Sequence, residues 1–209
     1  MTNNELKLLQ SAMDHSKSYL EFGSGNSTYM AVATDNIKKI TVVESDVTFW
    51  ETHLMSTPAI YEAVEKGRLH PYLVNIGVTG KWGYPMNDNN RDYWPAYHSC
   101  VFQSNHSYDT VLVDGRFRIS CILHACLYCP QDTKILIHDF FNRPNYYVVL
   151  PFLKLEERAD TLGLFSIKQP TRSLSSGETA RLVTTSCWSE WSAPARKGAR
   201  SFHLHPQRM

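Results

Sequence analysis

No stretch of this sequence is apolar over the roughly 20 residues that a membrane span needs, and Met1–Gln10 is polar, so neither a span nor a secretory leader is expected. Charge of one sign is also missing. The 21 lysines and arginines face 20 acids, for a net charge of +1. That balance supplies no long-range field toward an anionic polymer or membrane surface, and no nucleic-acid partner is expected. Cysteine is sparse: there are 5, an odd number, with three crowded between 121 and 129. This is a poor basis for a secreted disulfide framework and suits a reducing, cytoplasmic compartment. Internal repeats and low-complexity segments are absent. What remains is a chain of 209 residues, 43% hydrophobic and 20% charged, which are the proportions of one globular domain.

The charge is unevenly placed. Arg196, Lys197, Arg200 and Arg208 lie near the end with no acid among them, interspersed with Pro194, Gly198 and Pro206. The expected division is a single domain over residues 1–190 and a basic, disordered tail over 191–209.

The most informative segment is Tyr19-Leu20-Glu21-Phe22-Gly23-Ser24-Gly25-Asn26-Ser27-Thr28. It reads as a short apolar strand, a G-x-G turn and a helix start. Nineteen residues past Gly25, a second strand, Ile40–Val43, ends in Glu44. A glycine turn paired with an acid after strand two is how a doubly wound sheet holds an adenosine group. The glycines admit the ligand to the backbone, and the carboxylate accepts from both ribose hydroxyls. The third glycine of a dinucleotide fingerprint is missing, because Thr28 stands there.

Strand and helix patterns alternate along the chain. Helices are expected over Glu5–Ser16, from Ser27 or Thr28 to Ala33, and from Asp46 to about Lys66 with Trp50, Leu54 and Tyr61 inward and a break at Pro58. Others are expected over Tyr97–Ser104, Phe117–Cys129, and from Pro144 to about Ala159. Strands are expected over Lys17–Phe22, Lys39–Val43, Arg68–Ile76, Asp109–Val113, Thr133–Ile137, Leu164–Lys168 and Arg181–Thr185, the last two joined by a turn at Ser173–Glu178. The fold class that follows is α/β: a doubly wound, mostly parallel seven-stranded sheet with helices on both faces and a C-terminal antiparallel hairpin.

In such a sheet, ligands bind beyond the carboxyl ends of the strands. Those ends carry Glu21 with Gly23, Glu44, Asn75, Asp114, and His138 with Asp139. Arg116 and Arg118 follow Asp114-Gly115 at a helix start, where a cation opposes the helix dipole and suggests an anionic ligand group. His138 titrates near neutrality and suits a general base toward a hydroxyl. Asp114 and Asp139, on adjacent strand ends, are candidates for a divalent metal together with Asn142. The loop 77–97 is long and carries Trp82, Tyr84, Tyr93, Trp94 and Tyr97 with Lys81 and Arg91, a composition suited to stacking on a sugar or aromatic acceptor.

Glu-Phe-Gly-Ser-Gly-Asn-Ser-Thr (21–28), Tyr-Asp-Thr-Val-Leu-Val-Asp-Gly-Arg-Phe-Arg (108–118) and Ile-His-Asp-Phe-Phe-Asn-Arg-Pro (137–144) together resemble a group of bacterial-type, Rossmann-like S-adenosylmethionine-dependent methyltransferases. The segment Gly77–Pro85 is similar to theirs as well. The resemblance runs over about residues 17 to 170. It implies S-adenosylmethionine as cofactor, held at Glu21, Gly23, Ser24, Gly25, Asn26, Ser27, Glu44, Asn75 and Asp114. Glu21 is then placed to meet the cofactor's ammonium. Likeness to metal-dependent O-methyltransferases is partial, since His138-Asp139 stands where they carry two consecutive metal-binding residues. The Asn/Asp-Pro-Pro-Tyr of base-methylating enzymes is absent; Asp114-Gly115-Arg116-Phe117 occupies that place.

The expected function is O-methylation of a small or saccharide hydroxyl. Asp114, His138 and Asp139 would be catalytic, and Trp82, Tyr84, Arg116 and Arg143 would hold the acceptor. The alternatives are an inactive cofactor-binding interaction module or a methylase for another acceptor class. Two further patterns carry no function. Cys121, Cys126 and Cys129 have an iron–sulfur spacing, with Cys187 as a fourth, but sit in an apolar helical run. Trp188-Ser189-Glu190-Trp191-Ser192 matches a cytokine-receptor motif in a chain without paired cysteines.

Overall fold

A computed structural model describes residues 1–103 and 107–168. Strands β1 (Ser18–Phe22), β2 (Lys39–Glu44), β3 (Leu69–Leu73), β4 (Thr110–Val113), β5 (Lys134–Ile137), β6 (Leu153–Ala159) and β7 (Leu162–Ile167) form one sheet in the order β3-β2-β1-β4-β5-β7-β6. The first five pair in parallel; β7 runs antiparallel to both β5 and β6. The central strands are nearly continuous apolar runs because both their faces are covered. Tyr19, Ile40, Val42, Leu112 and Leu136 pack under α1 (Asn3–Asp14), α2 (Asn26–Ala33) and α4 (Pro58–Glu65). Leu20, Phe22, Val43, Val111, Val113 and Ile137 pack under α5 (Trp94–Ser99) and α6 (Arg118–Tyr128). Between β2 and α4, Asp46 caps the short α3 (Val47–Phe49), accepting from Phe49 N at 2.8 Å, and the chain continues as a π-helical turn over Trp50–Leu54. No helix among the described residues is long and apolar enough to cross a membrane.

Three expectations need correction. The helix expected from Pro144 to about Ala159 is a 3-10 segment over Pro144–Val149 followed by β6. Pro151 stops the helix, and the hairpin partner of β7 is therefore Leu153–Ala159. The expected strand Arg181–Thr185, the turn before it, the tail, Cys187 and the 188–192 motif lie outside the described residues. Tyr61 is not inward but 52% exposed, and Ile60 takes the buried position. Finally, α2 starts at Asn26 instead of Ser27 or Thr28. Gly25 is its cap, and Thr28 Oγ1 accepts from Gly25 N at 3.0 Å. The break expected at Pro58 is present: the π-helical turn ends at Leu54, and Pro58 opens the separate helix α4.

The cysteine-rich run is helical, as expected. Cys121 and Cys126 lie within α6 and Cys129 ends it. Burial pushes the Cys126 and Cys129 thiols up to about 12, so they stay protonated and are poor metal ligands.

β1 is the switch point of the sheet, with β2 on one side and β4 on the other, and a crevice opens beyond their carboxyl ends. There the chain passes so closely that a side chain cannot be added. Gly23 has φ +91°, and a Cβ on it would lie 2.5 Å from Gly115 Cα. Gly23→Ala should destabilise the protein by at least about 2 kcal/mol, from backbone strain plus overpacking. Urea unfolding that shows no loss would refute this account of the β1–β4 junction.

Candidate active site

A cleft of about 860 Å³ lies over the carboxyl ends of β1, β2, β4 and β5. At one end Glu44 is fixed from four directions. Its Oε2 accepts from Ser24 N at 2.9 Å and Ser24 Oγ at 2.7 Å, and its Oε1 from Ser45 N at 2.6 Å and Asp46 N at 2.9 Å. Phe49 closes this end with an apolar face.

The other end is a charged network centred on Arg118. Its side chain is 5% exposed, and it donates from Nε to Gly115 O at 3.1 Å, from Nη1 to His138 O at 2.6 Å, and from Nη2 to Asp114 O at 3.0 Å. It also pairs with Asp114 Oδ1 at 2.9 Å and Asp139 Oδ2 at 3.4 Å. The residues on either side of this clasp are wound left-handed: Phe117 at φ 51° and Asp139 at φ 59°. Non-glycine residues rarely adopt this conformation, which clusters at functional sites.

His138 sits against Asp114, with Nδ1 at 2.8 Å from Oδ1. Its Nε2 lies 3.5 Å from Glu5 Oε2 and 4.0 Å from Asp139 Oδ1. Burial works against the imidazolium, but the hydrogen bond and charge of Asp114, then the charge of Asp139, outweigh it. The net effect raises His138 above its ordinary value. Asp139 is held low: burial opposes ionisation, and His138, Arg118 and Arg143 overcome it. Glu5 reaches the site from α1, pinned by Thr161 N at 2.9 Å and Thr161 Oγ1 at 2.6 Å. Only its distant position in the chain concealed it, since Thr2-x-x-Glu5 is a visible capping box.

The segment 78–86 folds back over the cleft as a tongue. Gly80 N donates to Tyr84 O and Met86 N to Val78 O, each at 2.8 Å, around a turn at Lys81–Gly83. Its tip, Trp82, is 76% exposed with φ 63°. A Cβ built on Gly83 would be 3.8 Å from Ser45 Oγ and 4.0 Å from Arg116 Cδ, so the tip rests across both ends of the cleft. Of the other loop aromatics, Tyr93 is exposed. Trp94 and Tyr97 are buried core residues, Tyr97 also forming part of the cleft lining. Trp94 Nε1 donates to Ile76 O at 2.9 Å, and Tyr97 Oη accepts from Arg116 N at 3.3 Å.

The cleft thus gathers Gly23, Ser24, Glu44, Asp114, His138, Asp139, Trp82, Tyr84, Arg116 and Arg143 from the expected set. Glu21, Gly25, Asn26, Ser27 and Asn75 do not line it. Glu21 is fully buried, bonded to the hydroxyls of Ser27 and, at 3.2 Å, Thr28 in the first turn of α2. Burial lifts its carboxyl to about 8, above the opposing effect of those hydroxyls. Asn26 is an exposed first residue of α2. Asn75 caps the turn after β3, accepting from Gly77 N at 2.9 Å. Gly25 does not touch the cleft wall, yet a Cβ on it would meet open space, so nothing in the described residues requires glycine there.

The two metal candidates are committed elsewhere. Asp114 and Asp139 are matched by Arg118, Arg143 and His138, and no group of three His, Cys, Asp or Glu among the described residues is arranged to hold an ion. Two guanidiniums and an imidazole around the pair repel a cation, so the residues do not fit a divalent metal.

Sequence comparison finds no matching protein-family model and no matching curated protein. Structural comparison does. A methyltransferase-like protein of Silicibacter pomeroyi shares 27% identity at a TM-score of 0.75, over 90% of this chain and 95% of its own. A Staphylococcus aureus protein assigned as a caffeoyl-CoA O-methyltransferase shares 13% at 0.56, over 81% and 85%. A Haemophilus influenzae protein assigned as a methylase shares 12% at 0.50, over 80% and 90%. The last two show the fold alone. The chain is an open α/β protein with a cleft at the switch point of its sheet. More narrowly, its fold is that of the class I S-adenosylmethionine-dependent methyltransferases.

Two titrations follow. Glu21 is neutral in the fold up to about 8 but ionises near 4.5 when unfolded, so it subtracts stability as pH rises between those values. The stability of wild type relative to Glu21→Gln should fall across that window by an amount on the order of 3–5 kcal/mol. Parallel chemical denaturation of the two proteins with no pH trend in the difference would exclude a neutral Glu21. For His138, an NMR titration should place the imidazole above its ordinary value in wild type. In Asp114→Asn it should fall below, because burial then acts without its main opponent. An unchanged midpoint would show that Asp114 does not set it.

Proposed function

We propose that this chain is an S-adenosylmethionine-dependent O-methyltransferase acting on a small or saccharide hydroxyl. The observation that carries the reading is the Asp114–His138 pair, set in the same cleft as a fully hydrogen-bonded Glu44. Ser24 and Glu44 would hold the adenosine ribose, with Ser24 Oγ yielding its bond to a ribose hydroxyl, and Phe49 would cover the base. Glu21 would answer an ammonium only by exchanging its Ser27 and Thr28 bonds.

S-adenosylmethionine, when bound, supplies an electrophilic methyl group. The chain's own residues orient the acceptor oxygen and remove its proton as the new C–O bond forms. Asp114 fixes His138 with Nδ1 toward the carboxylate, which leaves Nε2 to receive the proton. Glu5 and Asp139, at 3.5 Å and 4.0 Å, then stabilise the imidazolium. This is the orienting logic of a carboxylate–histidine pair. Because His138 is raised, the limb on which the rate climbs with pH should lie above the ordinary histidine value. The tongue over the cleft excludes water.

Calorimetry with S-adenosylmethionine, S-adenosylhomocysteine and NAD tests the cofactor. The first two should bind and NAD should not; the reverse would end the proposal. Glu44→Ala should weaken binding at least tenfold, since hydrogen bonds to a charged acceptor are worth about 1.5–3 kcal/mol each. A hydroxyl-acceptor screen on wild type and His138→Ala tests the base, and full activity in the variant would remove it from that role.

A further inference from the structure

The three arginines of the cleft are in three different states of compensation. Arg118 is saturated by two carboxylates and three backbone carbonyls. Arg143 is half satisfied: Nη2 pairs with Asp139 Oδ2 at 2.9 Å and Nη1 donates to Tyr146 Oη at 3.3 Å, while its side chain stays 34% exposed. Arg116 has no carboxylate within ion-pair distance among the described residues, and its guanidinium lies over the Tyr84 ring at 4.0 Å from the centroid. Arg116 and Arg143 nevertheless share one neighbour. Both line the cleft beside the Tyr84 phenol, which the tongue holds there with the Arg116 guanidinium against its ring.

Two guanidiniums lining one part of a cleft, one of them without a carboxylate partner, is an arrangement by which proteins bind carboxylate and phosphate. A neutral phenol fills that position poorly, since it brings one oxygen and no charge. The strain on the phenol is consistent with this: burial opposes its ionisation, yet the hydrogen bonds and charges of Arg116 and then Arg143 pull its pKa below the ordinary tyrosine value. The position also adjoins Asp139, which pairs with Arg143. The remaining acids of the network, Asp114, Asp139 and Glu5, are taken by Arg118, His138, Arg143 and Thr161, so none is left to neutralise Arg116.

We propose that Arg116 and Arg143 form an anion-binding subsite, occupied in the free protein by the Tyr84 hydroxyl, and that the methyl acceptor is an organic anion whose carboxylate or phosphate displaces that hydroxyl. Tyr84 is a placeholder here and not a ligand, and its displacement couples acceptor binding to a shift of the tongue. The acceptor's identity as an anion rests on reading the cleft as a methyl-transfer site; the subsite itself does not.

The test is binding of phenyl phosphate, benzoate and the uncharged benzyl alcohol to the full chain, followed by calorimetry with and without S-adenosylhomocysteine. Wild type should bind one of the anions at least tenfold more tightly than benzyl alcohol. Preference for benzoate marks a carboxylate acceptor and preference for phenyl phosphate a phosphorylated one. Arg116→Gln, which strands no carboxylate, should lose tenfold or more in anion affinity while keeping S-adenosylhomocysteine affinity within twofold. Tyr84→Phe should bind the anion as tightly as wild type or more so. Equal binding of anion and alcohol, or undiminished anion binding in Arg116→Gln, would overturn the subsite. A loss in Tyr84→Phe as large as in Arg116→Gln would overturn the placeholder role. Failure of S-adenosylhomocysteine to bind wild type would instead count against the cofactor reading and leave the anion arms to be judged on their own.

Discussion

The arrangement of the cleft depends on one buried guanidinium. Parallel strands β4 and β5 end in polar residues that face one another, and nothing in a β ladder fixes the chain beyond the last pairing. Arg118 supplies that restraint by taking the terminal carbonyls of both strands, at Asp114 and His138, together with the carboxylates that follow them. A charge this deeply buried is tolerated because every donor has a partner, and removing it would strand two carboxylates at a cost of about 3–5 kcal/mol. The left-handed turns at Phe117 and Asp139 are the local distortions through which the backbone meets those bonds. The clasp therefore sets the direction of Asp114, and through Asp114 the orientation of His138.

Around that centre the charges are divided by function. Acids inside the network answer cations inside it, and Glu44 at the far end answers backbone and hydroxyl donors alone. One cleft thus contains an acidic end suited to hydroxyls and a cationic end suited to acids. The acidic end is already oriented by its four donors, which limits the ordering that binding there must supply. The tongue spans the two ends, so its position is sensitive to what occupies either.

Much of this was legible in the residues. β1, β2, β4 and β5 are short, mainly apolar runs, the pattern of strands covered on both faces, with Glu21 the one acid inside them before their ends. Glycine turns and acids at their ends then locate the cleft without further help. What the sequence conceals is direction and distance. Glu21 reads as a ligand because it stands before the glycines, but inside β1 it shares a face with Tyr19, under α2, and finds Ser27 and Thr28 there. Trp94 and Tyr97 look like loop aromatics because α5 is too short to show a helical period. Pro144 is a sound helix start, and only the later Pro151 and the pairing of Leu153–Ala159 with β7 show that the helix does not continue. Glu5 escaped notice because its partners, Thr161 and His138, are brought to it by the completed sheet.

That last contact bears on how the protein assembles. Glu5 and Thr161 are 156 residues apart, and Thr161 belongs to the turn between the last two strands. The hairpin is inserted with β7 against β5 and β6 outside it, so the edge strand by sequence order is not the last to pair by position. Closing so long a loop is entropically slow compared with forming a local helix or a βα unit. The glycine turn and the acid of β2 are local and can form early. The electrostatic surroundings of His138, by contrast, are complete only when α1 meets the turn between β6 and β7, so a chain stalled before that hairpin would have the glycine turn and Glu44 in place without the carboxylate that faces His138 Nε2.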